Sequence, residues 1–408
     1  MAVETGSSLG LYFSVPFCRS KCTYCNFASG VYPASEHARY VERLIEEMRA
    51  AKGWAEHMGV ALPRRVDTIY LGGGTPSLLE AKLIRKLFDA IRAEFDVDRD
   101  AEITVECAPA QIGDGTLEAM AKAGVTRASL GVQSFVDSEA KSSGRLHTAA
   151  DVRKDIERLR AVGIANLNVD LIAGLTGQKT TTWEQSLDAL VEADVPHASV
   201  YMLEVDEESR LGREILAGGA RYGAELVPTD DAIAHMYERA LERLAEAGFS
   251  QYEISNLSRD GFCSRHNLRY WERRPYLGLG IDSSSMLKAE GEERYALRAT
   301  ITDDLKAFLE GIEGIAAAET AWLSPDRQHE EAWFLGLRLN EGVDAAEVRA
   351  EFGNECVERA LEAVRRLQED GLVQVDGERV RLTARGRLLS NEVFQEFLIT
   401  VEEAQTQR

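Results

Sequence analysis

Short β-rich segments alternate with segments of helical periodicity through the first half of the chain. Apolar residues in the intervening segments recur at a spacing of four, as in Leu83, Leu87, Ile91 and Phe95. Alternation of this kind predicts parallel βαβ units. The six predicted strands are Leu9–Val15, Thr68–Gly74, Glu102–Ala108, Arg127–Gln133, Asn166–Ile172 and His197–Val205.

These strands look almost continuously apolar, which predicts a sheet that is covered on both faces. Six βα units fit either an open, doubly wound sheet or a partial barrel. In both architectures ligands bind at the carboxyl ends of the strands. The sequence therefore predicts an α/β fold and directs the search for a site to those strand ends.

The second half of the chain is organised differently. Residues 226–315 contain a helix near Asp230–Ala247 and segments rich in aromatic and polar residues, and we expect them to complete a core formed by residues 1–225. Residues 316–408 predict a separate, mostly helical domain, in which Asp376-Gly377 marks a hairpin. Helices followed by a hairpin resemble a winged helix, and the tail Val401–Arg408 is expected to fray.

Charge narrows the partners that this chain is expected to bind. The 408 residues include 47 Lys and Arg against 68 Asp and Glu, a net charge of −21. Such acidity argues against binding to nucleic acid or to an anionic membrane, so packing or partner docking is favoured for the winged-helix-like domain. No run of 18 apolar residues exists, and Met1–Leu9 lacks the basic and apolar parts of a secretory signal.

Three of the six cysteines lie close together, in the pattern Cys18-x3-Cys22-x2-Cys25 directly after the first strand. A disulfide between two of these cysteines would leave the third unpaired, whereas three thiolates together suit an iron–sulfur cluster or zinc. Zinc in a structural site requires a fourth ligand, and no Cys or His follows closely. Persistent thiolates indicate a reducing compartment, the cytoplasm. The scattered cysteines, expected to be buried apolar residues, are Cys107, Cys263 and Cys356.

A glycine-rich turn, Gly72–Thr75, follows the second strand. Glycines allow the backbone to approach a ligand closely, and Pro76 stiffens the turn. Taken alone, the segment could equally be an ordinary turn from strand to loop. Its position at the strand end next to the cysteines favours a binding role.

The cysteine motif, with Tyr24 before its last cysteine, resembles that of the radical S-adenosylmethionine (SAM) superfamily. The resemblance implies a partial (β/α)6 barrel of the TIM type, a [4Fe–4S] cluster on the three cysteines, and SAM on the open iron. Gly72–Thr75 resembles the glycine motif that holds the SAM amino group. The residues that the resemblance implies as SAM contacts are Tyr12, Gly73, Gly74, Thr75, Glu106, Gln133, Arg145 and Asp170, with Met202 and Ile281 as weaker candidates for which core packing is favoured.

The chemistry of these side chains agrees with such roles. Asp170 and Gln133 bond hydroxyls, Arg145 pairs with a carboxylate, and Glu106 meets positive charge. Each residue alone could equally be a satisfied polar group at a strand end. We expect Gly74→Val to block SAM while leaving the cluster in place.

The resemblance extends from Leu11 to about Leu398 and is closest to oxygen-independent coproporphyrinogen III oxidases and their relatives. Those oxidases carry a further cysteine two positions after the third, where this chain has Phe27, and a longer extension before the position of Tyr12. The segment from His266 to Trp271 instead resembles the HNxxYW signature of the heme chaperones of the HemW family. That resemblance implies binding of heme and its transfer to acceptor haemoproteins.

His266 is a candidate axial ligand of heme iron, with Tyr270 and Trp271 as candidates for stacking on the porphyrin. Alternatively, His266 and Asn267 cap a turn while the two aromatic residues fill the core. Both interpretations fit the sequence.

Three functions therefore remain open. The first is a heme chaperone on a radical-SAM scaffold. The second is a radical-SAM enzyme acting on a porphyrinogen, which would need an electron donor to cleave SAM. Coproporphyrinogen dehydrogenase activity is disfavoured by Phe27. The third, a partner-binding protein with a relic metal site, is least favoured because so many SAM-contact positions are intact.

Overall fold

The computed structural model describes residues 8–290, 295–311 and 314–398. Most of the leading segment Met1–Leu9 and the whole of the tail Val401–Arg408 lie outside these ranges. Within them, no helix combines the length and the apolar character needed to cross a bilayer.

Six parallel strands form the centre of the main sheet, and their spatial order is their order in the chain. Since each crossover moves to the next strand in the same direction, the connecting helices lie on one face and the sheet curls into a partial barrel. A doubly wound sheet would reverse direction, so that alternative is wrong. The strands are β1 (Leu9–Val15), β2 (Arg65–Gly73), β3 (Asp96–Cys107), β4 (Arg127–Gln133), β5 (Asn166–Ala173) and β6 (His197–Met202).

Amphipathic helices cover the convex face of the barrel. The longest runs for 25 residues and buries Tyr40, Leu44 and Met48 along one stripe. The helices up to β6 are α1 (Ala34–Met58), α2 (Ala81–Glu94), α3 (Asp114–Lys122), α4 (Asp137–Ser142), α5 (Ala149–Ala161) and α6 (Thr180–Glu192).

The two faces of the barrel strands differ in polarity. Residues such as Leu11, Ile69 and Val105 are buried against the helices. Polar residues at the alternate positions hydrogen-bond to one another across the concave face. The expectation of strands that are apolar on both faces is therefore wrong. The inward polar residues include Tyr70, Glu106, Arg127, Ser129, Asn168, Asp170, His197 and Ser199.

Residues after β6 extend the barrel sheet at both ends. Over the described ranges the sheet has twelve strands, in which β8 (Asn256–Ser258) pairs with β6 and β9 (Tyr276–Leu279) pairs in parallel with β1. The edge strands β7 and β12 do not pair with each other, so the barrel stays open within the described residues. These elements are α7 (Arg210–Leu216), α8 (Asp230–Glu246), β7 (Ser250–Gln251), β8 (Asn256–Ser258), α9 (Arg265–Trp271), β9 (Tyr276–Leu279), β10 (Ser284–Lys288), β11 (Ala296–Thr300), α10 (Leu305–Leu309) and β12 (Glu319–Leu323).

The C-terminal part is mostly helical and winged-helix-like. The hairpin predicted at Asp376-Gly377 is present, and β13 joins it to form a three-stranded sheet. After the hairpin, two short helices meet at Leu389. The elements are α11 (Pro325–Gly336), β13 (Val343–Asp344), α12 (Ala345–Phe352), α13 (Asn354–Glu369), β14 (Val373–Asp376), β15 (Arg379–Leu382), α14 (Ala384–Leu388) and α15 (Ser390–Gln395).

In the part of the chain that the structure describes, two hydrophobic cores underlie this arrangement. The larger runs from Leu9 to Ile315, and the smaller joins Ile254 to residues between Ala332 and Phe397. The boundaries at residues 225 and 315 stay predictions, because cores do not fix domain limits to a residue.

Helix α9 is anchored to the barrel by a buried cation. The Arg269 guanidinium is fully buried, pairs with Asp67, and donates to the carbonyls of Ser8 (3.0 Å) and Pro275 (2.8 Å). Burial by itself would raise the pKa of Asp67, but Ser8, Arg269 and Arg274 outweigh it and lower that pKa. The pair therefore holds α9 against the amino end of β2.

We expect Arg269→Met to lower the free energy of unfolding by about 1.5–3 kcal/mol, because Asp67 loses its buried partner and keeps Arg274 and Ser8. Urea unfolding followed by circular dichroism measures the change. The matched control is Arg65→Met, which removes the exposed ion pair with Asp98 and should leave the midpoint nearly unchanged. Equal midpoints for the two variants would contradict this anchoring role.

Candidate functional site

A cleft of about 350 Å³ opens at the carboxyl ends of the barrel strands. Its walls come from the loop after β1, the turn after β2, the ends of β3 to β6, and the loop after α4. The predicted site residues that line it are Cys18, Cys22, Cys25, Gly73, Gly74, Thr75, Glu106, Gln133, Arg145 and Asp170. Ten of the twelve predicted residues thus share one cavity, although residue roles within it stay predictions.

The three cysteines belong to a loop that is closed by backbone hydrogen bonds. The Cys18 amide donates to the Gly30 carbonyl (2.8 Å), and the Gly30 amide donates to the Pro16 carbonyl (2.9 Å). Two sulfurs accept hydrogen bonds, from Thr75 Oγ1 to Cys18 Sγ (3.7 Å) and from Arg145 Nη1 to Cys22 Sγ (3.6 Å). Donors of this kind stabilise thiolates, the form that ligates iron.

The three thiols suit an iron–sulfur cluster by their chemistry, because cysteine thiolates are the usual ligands of such clusters. Across the described residues, no three His, Cys, Asp or Glu side chains converge closely enough to hold one metal ion. An iron–sulfur cube is wider than an ion, so its ligands approach it from separated points around a cavity. Burial raises the pKa of Cys18, so we expect cluster assembly to displace its proton.

The glycine turn lies beside the cysteine loop because the β1–β2 register pairs Val15 with Gly73. Gly73 has a φ of 98°, in the region that favours glycine. A Cβ on Gly74 would lie 2.8 Å from the carbonyl carbon of Pro16 and 2.9 Å from the Phe17 nitrogen. Gly74 is therefore required by backbone packing immediately before Cys18.

Two half-buried carboxylates, Glu106 and Asp170, form the inner wall of the cleft. Burial first, and then the neighbouring Asp170, raise the pKa of Glu106 to about 7, although Tyr70 donates to it at 2.9 Å. Burial also raises the pKa of Asp170. Two such groups disfavour each other's charge, so this wall attracts a cation.

A chain of hydrogen bonds that the sequence analysis missed orients Asp170. Asn168 Nδ2 donates to Asp170 Oδ1 (2.7 Å), while Asn168 Oδ1 lies 2.6 Å from His197 Nδ1. His197 Nδ1 also lies 3.3 Å from the donor Arg127 Nη2, and His197 Nε2 lies 2.8 Å from the Tyr252 hydroxyl. The alternation of polar residues along β4 to β6 is the sequence pattern from which these hydrogen bonds could have been predicted.

Gln133 and Arg145 line the same cleft, where Arg145 lies beside Cys22. Gln133 ends β4 with a φ of 69°, an uncommon conformation for a side-chain-bearing residue, and its buried Oε1 has no partner in the described part of the chain. Arg145 is held by the Gly131 carbonyl and the Cys22 sulfur. An unpartnered oxygen and a fixed guanidinium both suit a polar ligand.

Tyr12 borders the cleft without lining it. Its hydroxyl would lie 3.6 Å from a Cβ placed on Gly73, and its ring centroid is 6.1 Å from that of Tyr70. Of the weaker candidates, Met202 lines a neighbouring hollow, whereas Ile281 is buried in the core. Cys107 is buried as expected, but that expectation is wrong for the partly exposed Cys263 and Cys356.

The structure does not bring His266 to the cleft. The residue is 1% exposed, with Nδ1 2.9 Å from Thr68 Oγ1 and Nε2 2.9 Å from the Tyr270 hydroxyl. Thr68 precedes Gly73 by five residues of β2, which is about 16 Å at ~3.3 Å per residue. His266 therefore lies toward the opposite end of the barrel from the cysteines.

The remainder of the HNxxYW segment joins the barrel to the C-terminal domain. The Glu102 carboxylate accepts hydrogen bonds from the backbone amides of Arg265 and His266, both at 3.0 Å, at the start of α9. The Arg338 guanidinium lies over the Trp271 ring, 4.2 Å from its centroid. This geometry favours the packing interpretation of the segment.

The comparisons with known proteins agree with this architecture. Residues 12–190 match the family model of the radical SAM superfamily, and residues 323–389 match that of the HemN C-terminal domain. Among solved structures, coproporphyrinogen III oxidase (HemN) from Escherichia coli superposes with a TM-score of 0.79 at 22% identity, covering 96% of this chain and 90% of that one. That likeness confirms the fold.

Barrel, cysteine loop and family model together define a radical SAM protein. The chain is 33% identical to the heme chaperone HemW of Lactococcus lactis subsp. lactis (strain IL1403), over 95% of this chain and 97% of that relative. It is 31% identical to HemW of Bacillus subtilis (strain 168), over 95% and 98%. The chain belongs to the HemW family.

Contrary to the expectation from the sequence, substitution of Gly74 should disturb the cluster as well as SAM. Gly74→Ala places a Cβ against the backbone that precedes Cys18, so we expect less iron per protein after anaerobic reconstitution. Gly113→Ala is the matched control, because its Cβ would meet only Thr116 Oγ1 at 3.7 Å. Full iron content in Gly74→Ala, with SAM binding alone lost, would contradict this expectation.

SAM binding should strengthen as the pH rises through about 7. A protonated Glu106 offers less attraction to a cationic ligand, so affinity should increase between about pH 6 and 8 and then level off. Anaerobic calorimetry at several pH values measures this dependence. In Glu106→Gln the SAM affinity should change little with pH. If the affinity of that variant rises with pH as in the unmodified protein, Glu106 is not the cause of the pH dependence.

Proposed function

We propose that this chain is a heme chaperone, which binds heme and passes it to acceptor haemoproteins while a [4Fe–4S] cluster and SAM occupy the cleft. The observation that carries the proposal is the similarity to named heme chaperones along nearly the full chain. The joint placement of ten predicted residues around one cavity supports the cofactor part.

The residues of the cleft suit the two cofactors. Cys18, Cys22 and Cys25 would bind the cluster and leave one iron for the amino and carboxylate groups of SAM. When bound, the cluster would supply an electron to SAM. The glycine turn lies beside the cysteine loop, where it would receive the SAM amino group.

Four polar residues would orient the rest of SAM. The fixed Arg145 would pair with its carboxylate, and Glu106 would attract its positive charge. Asp170 and the unpartnered Gln133 oxygen would bond its hydroxyls. The chain from Tyr252 to Asn168 would keep Asp170 in the acceptor orientation that these bonds require.

A radical-SAM enzyme acting on a porphyrinogen is the second candidate, because every polar residue expected to contact SAM lines or borders the cleft. It would require an electron donor. Coproporphyrinogen oxidation is disfavoured, since Phe27 stands where the oxidases have a further cysteine. In either role the three thiols need a reducing compartment, for which we propose the cytoplasm.

His266 remains a predicted heme ligand within this proposal. Ligation would require its ring to leave Thr68 and Tyr270 and to become accessible from solvent. Its present contacts instead support a packing role.

The proposal is tested by anaerobic reconstitution followed by separate titrations with hemin and SAM. We expect a saturable Soret band with hemin, and transfer of that hemin to apomyoglobin as a model acceptor. We expect Cys25→Ala to lose iron and SAM binding. If the reconstituted protein gives no saturable Soret change, the chaperone proposal is wrong.

Two controls separate the alternatives. Formation of 5′-deoxyadenosine together with loss of a porphyrinogen would favour the enzyme. His266→Leu should keep the position of the Soret band if the ring is structural, and a displaced band with unchanged unfolding would support ligation.

A further inference from the structure

Exposed apolar side chains surround the mouth of the cleft. Phe27 is 60% exposed, Leu146 is 57% exposed and Tyr201 is 40% exposed, and all three line the cavity. They come from the cysteine loop, the loop after α4 and the end of β6. This apolar rim (Phe27, Leu146 and Tyr201) therefore presents hydrophobic surface from three sides of one opening.

Hydrogen bonds hold the backbone at Phe27 in place, although the Phe27 side chain is exposed. The Phe27 carbonyl accepts from Lys21 Nζ (3.1 Å) and from the Ser29 amide (2.7 Å). The adjacent Asn26 side chain donates to Asp206 at 3.0 Å. Exposed apolar side chains that cluster, unlike a single one, are typical of binding surfaces, and Phe27 is one of three around this opening.

Charge is distributed unevenly between the mouth and the interior. Arg19 and Lys21 line the cleft from the cysteine loop, where Arg19 is exposed and Lys21 is half-buried. The carboxylates Glu106 and Asp170 lie at the inner wall. In a chain of net charge −21, the mouth thus combines apolar surface with two cations.

We propose that heme binds at this mouth, with its macrocycle on the apolar rim and its propionates toward Arg19 and Lys21. The inference rests on the proposed chaperone function and gives it a location. A flat apolar ring with two carboxylates is complementary to this combination. A neighbouring hollow of about 300 Å³ shares Tyr24 and Ile172 with the cleft and has a mixed lining of apolar and acidic residues.

A small flat ligand fits the rim better than an acceptor protein does. A stable protein interface buries on the order of 1,200–2,000 Å². Three side chains around one opening supply only a small part of such an area. Heme also accounts for the cations, since its carboxylates need partners at the edge of an otherwise apolar contact.

The test measures hemin affinity of the reconstituted protein by Soret titration. We expect the double variant Phe27→Ser and Leu146→Ser to bind hemin at least about tenfold more weakly, because apolar contact area is lost. Iron content reports whether the cysteine loop is intact. Trp322→Ser, which removes a 46% exposed apolar residue on β12, is the matched control and should bind hemin normally.

A second variant tests the charge independently of the apolar contacts. Arg19→Glu should weaken hemin binding while leaving binding of hemin dimethyl ester, which lacks the carboxylates, unchanged. Loss of both ligands to the same extent would overturn the propionate assignment. Because Arg19 is exposed, this variant keeps the proposal testable if the double variant loses its cluster.

The remaining outcomes are distinct. Normal hemin affinity in the double variant overturns the location of heme at the rim. Normal affinity with slowed transfer to apomyoglobin also overturns it, and assigns the rim to acceptor docking. Absence of hemin binding by the unmodified protein refutes the proposed function itself, and this inference with it.

Discussion

The winding of the sheet in one direction is the constraint on which this structure depends. Parallel strands in chain order place all their carboxyl ends at one mouth, so residues far apart in the chain, such as Cys18 and Asp170, face one cavity. The same winding places alternate side chains on the concave face. Burial of the apolar alternates against the helices stabilises the barrel, and the polar alternates must then satisfy one another inside it.

This internal polarity makes the cleft selective for charge. Raising the pKa of Glu106 from about 4.5 to about 7 corresponds to about 3 kcal/mol of disfavoured ionisation. A cationic ligand recovers part of that free energy, whereas an anion at the same wall would add to the repulsion. Heme propionates are therefore excluded from the inner wall and are directed to the mouth, where the cysteine loop supplies cations.

The hydrophobic periodicity of the sequence, with the rule that ligands bind at the carboxyl ends of parallel strands, predicted much of the fold and of the cleft. The bounds of β1 and β4 agree with prediction, and the predicted cysteines and glycines meet because their strands are neighbours. The polar alternation of β5 was visible as Asn166, Asn168 and Asp170, but the apolar residues between them were given more weight. The location of His266 could not be predicted, because α9 is placed by the long-range pairing of β9 with β1.

The location of the HNxxYW segment limits how one heme could be held. His266 and the cysteine loop lie toward opposite ends of β2, and the space between them contains Tyr70, whose ring centroid is 5.3 Å from that of His266 and whose hydroxyl donates to Glu106. A single macrocycle cannot contact both without displacing these side chains. The segment therefore packs against the end of the barrel away from the cysteines, while the mouth offers accessible apolar surface next to them.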